Sequence, residues 1–518
     1  MTTTVPGRTL GGVSLRRNNL ALWLVTVVTG LCGGQAAYAQ AAPTEPAQHL
    51  RVAETGAGEA AETDHVGSFN GKRVAYHAVI SRTLLESDRG APAASLVTIA
   101  YIAKGRPGDA PRPVLFAFNG GPGGSSAPMH LGALGPKILS RLDKTGFADP
   151  KVTLVDNPGS PIDAVDIVFV DPANTGFSKA LDGADMSWLK SVDGDSESIA
   201  RLIAHWLRTN DRMDSPVFVI GESYGTMRAV ALARDIPRID PAVRLRGIIL
   251  SGTAYTYGQG GKLPNPAATA ARLSMMASMA WHHGKIDRTQ SWDEAVEKAR
   301  RFGRGEYVGA LMEGHQISRE RFDRVAAQLP ALIGIPESYF RQRGSLIVED
   351  FNAELLRDRG LVLDRNDGRQ TGPQNVAPSR DFDGELVGFK AAMNGYVRRD
   401  LKGVGYGDYL VLTPNLVKEV RDWNFSTTGP GALDTVLSAA MRGQNCLRLG
   451  VLQGRYDTLT NMGTTEYTLA QTDVPRDRVT TQYFDGGHFL LPTREVTDFV
   501  RSFATHDEPD AAACGPTK

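Results

Sequence analysis

Ser223 stands between two glycines in Gly221-Glu222-Ser223-Tyr224-Gly225, directly after the apolar run Pro216–Ile220 and before a helix-compatible stretch, Met227 to Arg234. Strand, tight turn and helix in that order hold a serine hydroxyl out above a sheet, and the flanking glycines let the backbones pack closely. A serine attacks only when a base takes its proton and a third group orients that base. The histidines downstream of Ser223 are His282, His283, His315, His488 and His506. His488 alone sits in a glycine turn, Gly486-Gly487-His488, after the strand-like run Thr480–Phe484 and before a further helix, so it is the expected base. His282-His283 reads as a solvated helix end, because no third ligand stands at a recognisable metal spacing. No metal and no cofactor is expected.

The orienting acid is expected at Asp457, in Gly454-Arg455-Tyr456-Asp457, just beyond the apolar strand Leu447–Leu452. Asp485 and Asp473 compete for the role, but Asp485 is so near His488 in sequence that it reads as a turn residue. Charge stabilisation has its own candidate. Asn119-Gly120-Gly121-Pro122-Gly123-Gly124 follows the strand Val114–Phe118, where a glycine-rich loop can turn backbone N–H groups toward a developing oxyanion. A phosphate-binding loop would close on a Lys-Ser/Thr pair, and this one does not.

These residues need a scaffold that brings strand ends together. Val114–Phe118, Asp166–Val170, Pro216–Ile220, Leu245–Leu250 and Leu447–Leu452 are short apolar runs suited to strands buried on both faces of a parallel sheet. Stretches such as Ser196–Thr209 and Thr493–Ala504 supply covering helices, so the class is α/β. Arg73–Ser81 and Ser95–Lys104 read as an antiparallel opening to that sheet. Between about Thr253 and Leu433 the alternation gives way to helix-like stretches, Ala267–Trp281 and Trp292–Phe302, and to polar, Gly-rich loops. The expected organisation is a signal peptide over 1–39, a flexible leader over 40–64 and the first part of the core over 65–252. A largely helical cap over 253–432, the second part of the core over 433–507 and a tail over 508–518 complete it.

The chain has 518 residues and 57 basic against 57 acidic side chains, so no global field draws it to nucleic acid or an anionic membrane. Arg8, Arg16 and Arg17 precede the apolar stretch Leu20–Leu31, and Ala37-Tyr38-Ala39 offers a cleavage site, which predicts export to the periplasm or beyond the cell. The stretch is shorter than the roughly 20 residues that span a bilayer, so stable membrane insertion is not expected. Cys32 leaves with that segment. Cys446 and Cys514 remain, as one bridge or as two free thiols.

Taken together, the motifs resemble the serine carboxypeptidase family of α/β-hydrolases, in a bacterial-type member. The resemblance rests on Asn119-Gly-Gly-Pro-Gly-Gly-Ser-Ser126, Gly221-Glu-Ser-Tyr224, Gly454-Arg-Tyr-Asp457 and Gly487-His488, with Asn157-Pro158 and Gly176-Phe177-Ser178 beside them. It implies a central, mostly parallel sheet flanked by helices. It also implies the triad Ser223, Asp457 and His488, an oxyanion hole from the backbone N–H groups of Gly121 and Tyr224, and a grip by Asn119 and Glu222 on the substrate's terminal carboxylate. Two positions depart from the pattern: Ala133 stands where the family has a second acid, and Gly124 where it has a cysteine. The implied activity is removal of C-terminal residues, through an acyl-enzyme, from peptides with a free C-terminus. An esterase or acyltransferase with the same triad is the alternative, and a catalytically silent binding protein on this fold is a third.

Overall fold

The computed structural model describes residues 49–57, 60–105, 108, 110–140, 153–254, 265–374, 387–426, 432–506 and 514. The expected signal peptide, 1–39, lies outside them, as does the tail apart from Cys514. The first strands are β1 (Leu50–Ala57), β2 (Ala61–Phe69), β3 (Lys72–Ser87), β4 (Pro92–Ala103) and β5 (Val114–Phe118). A side ribbon, β6 (Lys137–Leu139) with β7 (Leu154–Asp156), precedes β8 (Asp166–Asp171), β9 (Lys179–Ala180), β10 (Val217–Glu222) and β11 (Leu245–Ser251). A second ribbon, β12 (Leu361–Leu363) with β13 (Thr371–Pro373), precedes β14 (Arg448–Gly454) and β15 (Val479–Phe484).

The main sheet runs β1-β3-β4-β8-β5-β10-β11-β14-β15, with β2 added to β3 and β9 to β4. From β8 to β15 neighbours are parallel, and from β1 to β8 they are antiparallel. The parallel strands are apolar at nearly every position because both faces are covered. Leu115, Ala117, Ile167, Phe169 and Ile220 point into one core, and Val114, Phe116, Val168, Val170 and Val219 into the other. The helices Val192–Thr209, Tyr224–Ile239 and Ala432–Gly443 cover the second face, and Arg494–Thr505 the first. The apolar runs predict this α/β class, and the arrangement is the α/β-hydrolase one that the motif resemblance implies.

Two boundaries differ from expectation. The leader ends earlier: β1 and the first four residues of β2 fall inside 40–64, and β2 pairs antiparallel with β3 from Ala61↔Ile80 to Phe69↔Lys72. Its residues alternate between exposed and half-buried, so a strand at the sheet margin carries Glu62, Asp64 and Ser68 among its side chains and reads as polar, unstructured sequence. The cap is also narrower than 253–432. Residues from Ala270 to Leu363 build a core of their own around Leu273, Met276, Leu332, Phe340 and Phe351. Phe389, Met393, Tyr396 and Tyr409, by contrast, pack into the main core with Leu115 and Phe169. Polar, glycine-rich connections surround those aromatics in sequence and hide the return of the chain to the body. Cys446 and Cys514 are joined by a disulfide, with their Cα atoms 5.2 Å apart.

Candidate active site

The catalytic candidates lie at the carboxyl ends of parallel strands of the main sheet, where open α/β sheets place their ligands. Asn119 follows β5, Ser223 follows β10, Asp457 follows β14 and His488 follows β15. Ser223 has φ +59° and ψ −127°, a conformation that costs an L-residue on the order of 1–3 kcal/mol. Its backbone is held there from both sides: Ser223 N–H donates to the Ser251 carbonyl at 2.9 Å, and the Thr226 hydroxyl donates to the Ser223 carbonyl at 2.7 Å. A side chain at Gly221 cannot be accommodated, since a β-carbon would lie 2.0 Å from the Gly225 carbonyl oxygen. Glu222 and Tyr224 are buried while Ser223 is only half-buried.

His488 is 3% exposed, and its Nδ1 lies 2.9 Å from Asp457 Oδ2. Asp457 accepts at both oxygens: Oδ1 from the N–H groups of Leu459 (2.8 Å) and Thr460 (2.9 Å), Oδ2 from the Thr460 hydroxyl (2.6 Å). Burial opposes ionisation of Asp457, but the His488 charge and these hydrogen bonds outweigh it and hold the carboxyl below its usual range. Burial likewise opposes the imidazolium of His488. The charge and hydrogen bond of Asp457, with the charge of Glu222, overcome it and raise the His488 pKa. Nδ1 is thereby engaged, and Nε2 is the nitrogen left for proton transfer. Asp485 and Asp473 are exposed and pair with Arg369 and Arg442 instead. His283 Nε2 lies 2.7 Å from the Gly368 carbonyl oxygen at a helix end, and the His282 ring packs edge-on to Tyr456.

The glycine-rich loop reaches the elbow directly, for a β-carbon at Gly120 would come within 2.5 Å of the Tyr224 nitrogen. Gly121 and Tyr224 thus sit on two backbone segments in contact. The Asn119 amide donates to Glu222 Oε1 at 2.5 Å and accepts from Met129 N–H at 3.0 Å, while Glu222 Oε2 accepts from Leu490 N–H at 2.7 Å. Burial pushes the Glu222 pKa up to about 7 against the opposing pull of His488 and these donors. Asn119, Gly121, Glu222, Ser223 and His488 all line one cleft of about 120 Å³. Its other walls include Leu412, Leu416, Leu459 and Phe489, all half-buried. Ala133 is fully buried among apolar neighbours, so no second carboxyl stands at its position.

Several contributors escaped the reading of the sequence. Thr460 touches both members of the pair, with its hydroxyl 3.0 Å from His488 Nδ1 as well as bonded to Asp457. The cap reaches in at Asn366, whose carbonyl accepts from His488 N–H at 2.7 Å. The segment from Leu410 to Asn424 straps the glycine-rich loop: Ser125 N–H donates to the Val411 carbonyl, Thr413 N–H donates to the Gly123 carbonyl, and Lys190 pairs with Glu419 at 2.7 Å. Arg228, on the helix after the nucleophile, is the largest fully buried side chain among the described residues. Its place before the apolar run Ala229–Ala233 was the one signal available, since a charge in such a run needs a buried partner.

The family model described as serine carboxypeptidase matches residues 101–301, which hold the glycine-rich loop and Ser223. Among solved structures, the chain is similar to the prohormone-processing carboxypeptidase Kex1Δp from Saccharomyces cerevisiae, at TM-score 0.50 and 13% identity, over 83% of this chain and 92% of that one. It overlaps more loosely with the esterase RhEst1 from Rhodococcus sp. ECU1013, at TM-score 0.35 and 13% identity, over 80% and 95%. The resemblance to serine carboxypeptidases read from the motifs therefore stands, and the fold is that of an α/β hydrolase.

Proposed function

We propose that the protein is an exported serine-type carboxypeptidase, and the observation that carries this reading is the buried Asn119–Glu222 pair beside Ser223. A carboxyl group next to the nucleophile meets a substrate carboxylate only if one of the two is protonated, because like charges in a shielded cleft repel strongly. A Glu222 pKa of about 7 supplies that proton at mildly acidic pH. The Asn119 amide has a second hydrogen to offer beyond the one given to Glu222. In this reading Ser223 Oγ attacks the last peptide carbonyl while His488 Nε2 takes its proton, and Asp457 holds the imidazole in the required tautomer. The Gly121 and Tyr224 N–H groups take the oxyanion. The C–N bond then breaks as His488 returns the proton to the departing amine, and water cleaves the Ser223 ester by the same steps.

The size of the cleft supports an exopeptidase. Ligand pockets commonly enclose roughly 300–1,000 Å³, so about 120 Å³ suits one residue rather than an extended ligand. Export is supported by the basic and apolar pattern of the first 39 residues and by the Cys446–Cys514 bridge, which an oxidising compartment favours. The second reading, an esterase or acyltransferase with the same triad, draws on Ala133, an apolar residue at the position where the resemblance implies a second acid. Incubation of exported protein with a free-acid peptide tests the proposal. Stepwise loss of single C-terminal residues by mass spectrometry, abolished in Ser223→Ala together with fluorophosphonate labelling, is the expected result. Absence of labelling in the unmodified protein would leave a binding protein on this fold.

A further inference from the structure

Arg228 has no part in the triad, the oxyanion hole or the carboxylate grip, yet it is buried against the segments that carry Asn119 and Tyr224. On the helix Tyr224–Ile239 it lies one turn beyond Tyr224. Its Nε donates to Asp195 Oδ2 at 2.8 Å and its Nη1 donates to the Asn119 carbonyl at 2.9 Å. Asp195 Oδ2 also accepts from the Tyr224 hydroxyl at 2.9 Å, and that hydroxyl accepts from Trp423 Nε1 at 3.1 Å. The guanidinium carbon is 5.0 Å from the Phe118 ring centroid and 5.2 Å from that of Tyr224, within cation–π range of both.

We infer that Arg228 is a positioning residue that fixes the two halves of the oxyanion hole relative to each other. The inference rests on the acyl-transfer reading given above. One donor, Gly121 N–H, belongs to the segment that begins at Asn119, and Arg228 holds that segment by its carbonyl. The other, Tyr224 N–H, belongs to the elbow, and Arg228 holds the elbow through Asp195 and the Tyr224 phenol. A buried ion pair is weak evidence for stability, since well-packed apolar residues often serve as well. What two directional hydrogen bonds to separate segments add is a fixed separation, and a displacement of about 1 Å in a preorganised site can cost roughly a hundredfold in rate.

Arg228→Met keeps the length and removes both hydrogen bonds, whereas Arg228→Lys keeps the charge and can satisfy one partner. The measurements are kcat and KM on a peptide, and the affinity of a peptide boronic acid, whose tetrahedral adduct places an oxygen in the hole. Arg228→Met should lower kcat about a hundredfold and weaken boronate binding in step, with KM changed less than about threefold. Arg228→Lys should recover part of both. Tyr224→Phe removes a single hydroxyl and leaves the buried pair in place, so it decides the matter even if Arg228→Met does not fold. It should lower kcat and boronate affinity together by several-fold. Folded variants with unmodified kcat and boronate affinity, or a loss confined to melting temperature, would overturn the inference. An unmodified protein that turns over neither peptide nor ester would instead overturn the acyl-transfer reading beneath it.

Discussion

Asp457 meets a donor at each oxygen, and one of them, the Thr460 hydroxyl, lies within hydrogen-bonding distance of both it and His488. Asp457→Asn preserves the shape but turns an amide toward the imidazole and favours the wrong tautomer, so kcat should fall about ten-thousandfold while the fold survives. Thr460→Val, which removes one hydrogen bond to the buried carboxylate, should cost about tenfold. Near-normal turnover in Asp457→Asn would contradict the assignment, since Asp485 and Asp473 are engaged elsewhere. Glu222 predicts a pH signature. Its proton is present below about 7 and is lost as pH rises through that value, whereas His488 must lose its own proton to act as base. The two titrate as a coupled pair, so peptide kcat/KM should follow a narrow bell on the acid side of that of an ester without a carboxylate. Coincident profiles would remove Glu222 from substrate binding. Residue types at glycine turns marked Ser223, Asp457 and His488 as candidates in the sequence, and the structure pairs His488 with Asp457. Thr460 and Asp195 were not, because short polar residues of this kind occur at many turns and helix starts and acquire meaning only from what folds against them.

The strap Leu410–Asn424 is the element that sets the apolar side of the cleft. Its hydrogen bonds to the glycine-rich loop and the Lys190–Glu419 pair fix Leu412 and Leu416 in place. A charged side chain entering there would lose water without gaining a partner, so apolar C-terminal residues should be preferred over Lys or Asp. Leu416→Asp should shift the Lys-to-Leu ratio in a competing peptide library by roughly fivefold, the worth of a partly screened ion pair. An unchanged ratio would place the terminal side chain elsewhere. The parallel strands β5, β8, β10, β11 and β14 were readable to within a residue or two because burial on both faces leaves continuous apolar runs. The strap was not, because its pairing partner is a loop more than two hundred residues away in sequence and no local period encodes that contact.

The whole molecule has no net charge, so recognition falls to the site and not to long-range attraction. Among the described residues no helix is long and apolar enough to cross a membrane. If the first 39 residues are a signal, as proposed, exported protein should begin near Gln40 and contain no alkylatable thiol before reduction, since Cys32 would depart with them and Cys446 is bridged to Cys514. Intact mass after alkylation checks both: one labelled thiol would mean that the leader is retained, and two that the bridge is open. The α/β class and the order of the site motifs were evident from sequence, whereas the packing of Phe389, Met393, Tyr396 and Tyr409 into the main core was not, because no local period distinguishes them from cap residues. The most direct test of the account as a whole compares kcat/KM on one peptide as the free acid and as the C-terminal amide at mildly acidic pH. A grip by Asn119 and protonated Glu222 predicts a strong preference for the free acid, lost in Glu222→Ala. Equal rates on the two peptides would contradict the carboxypeptidase reading.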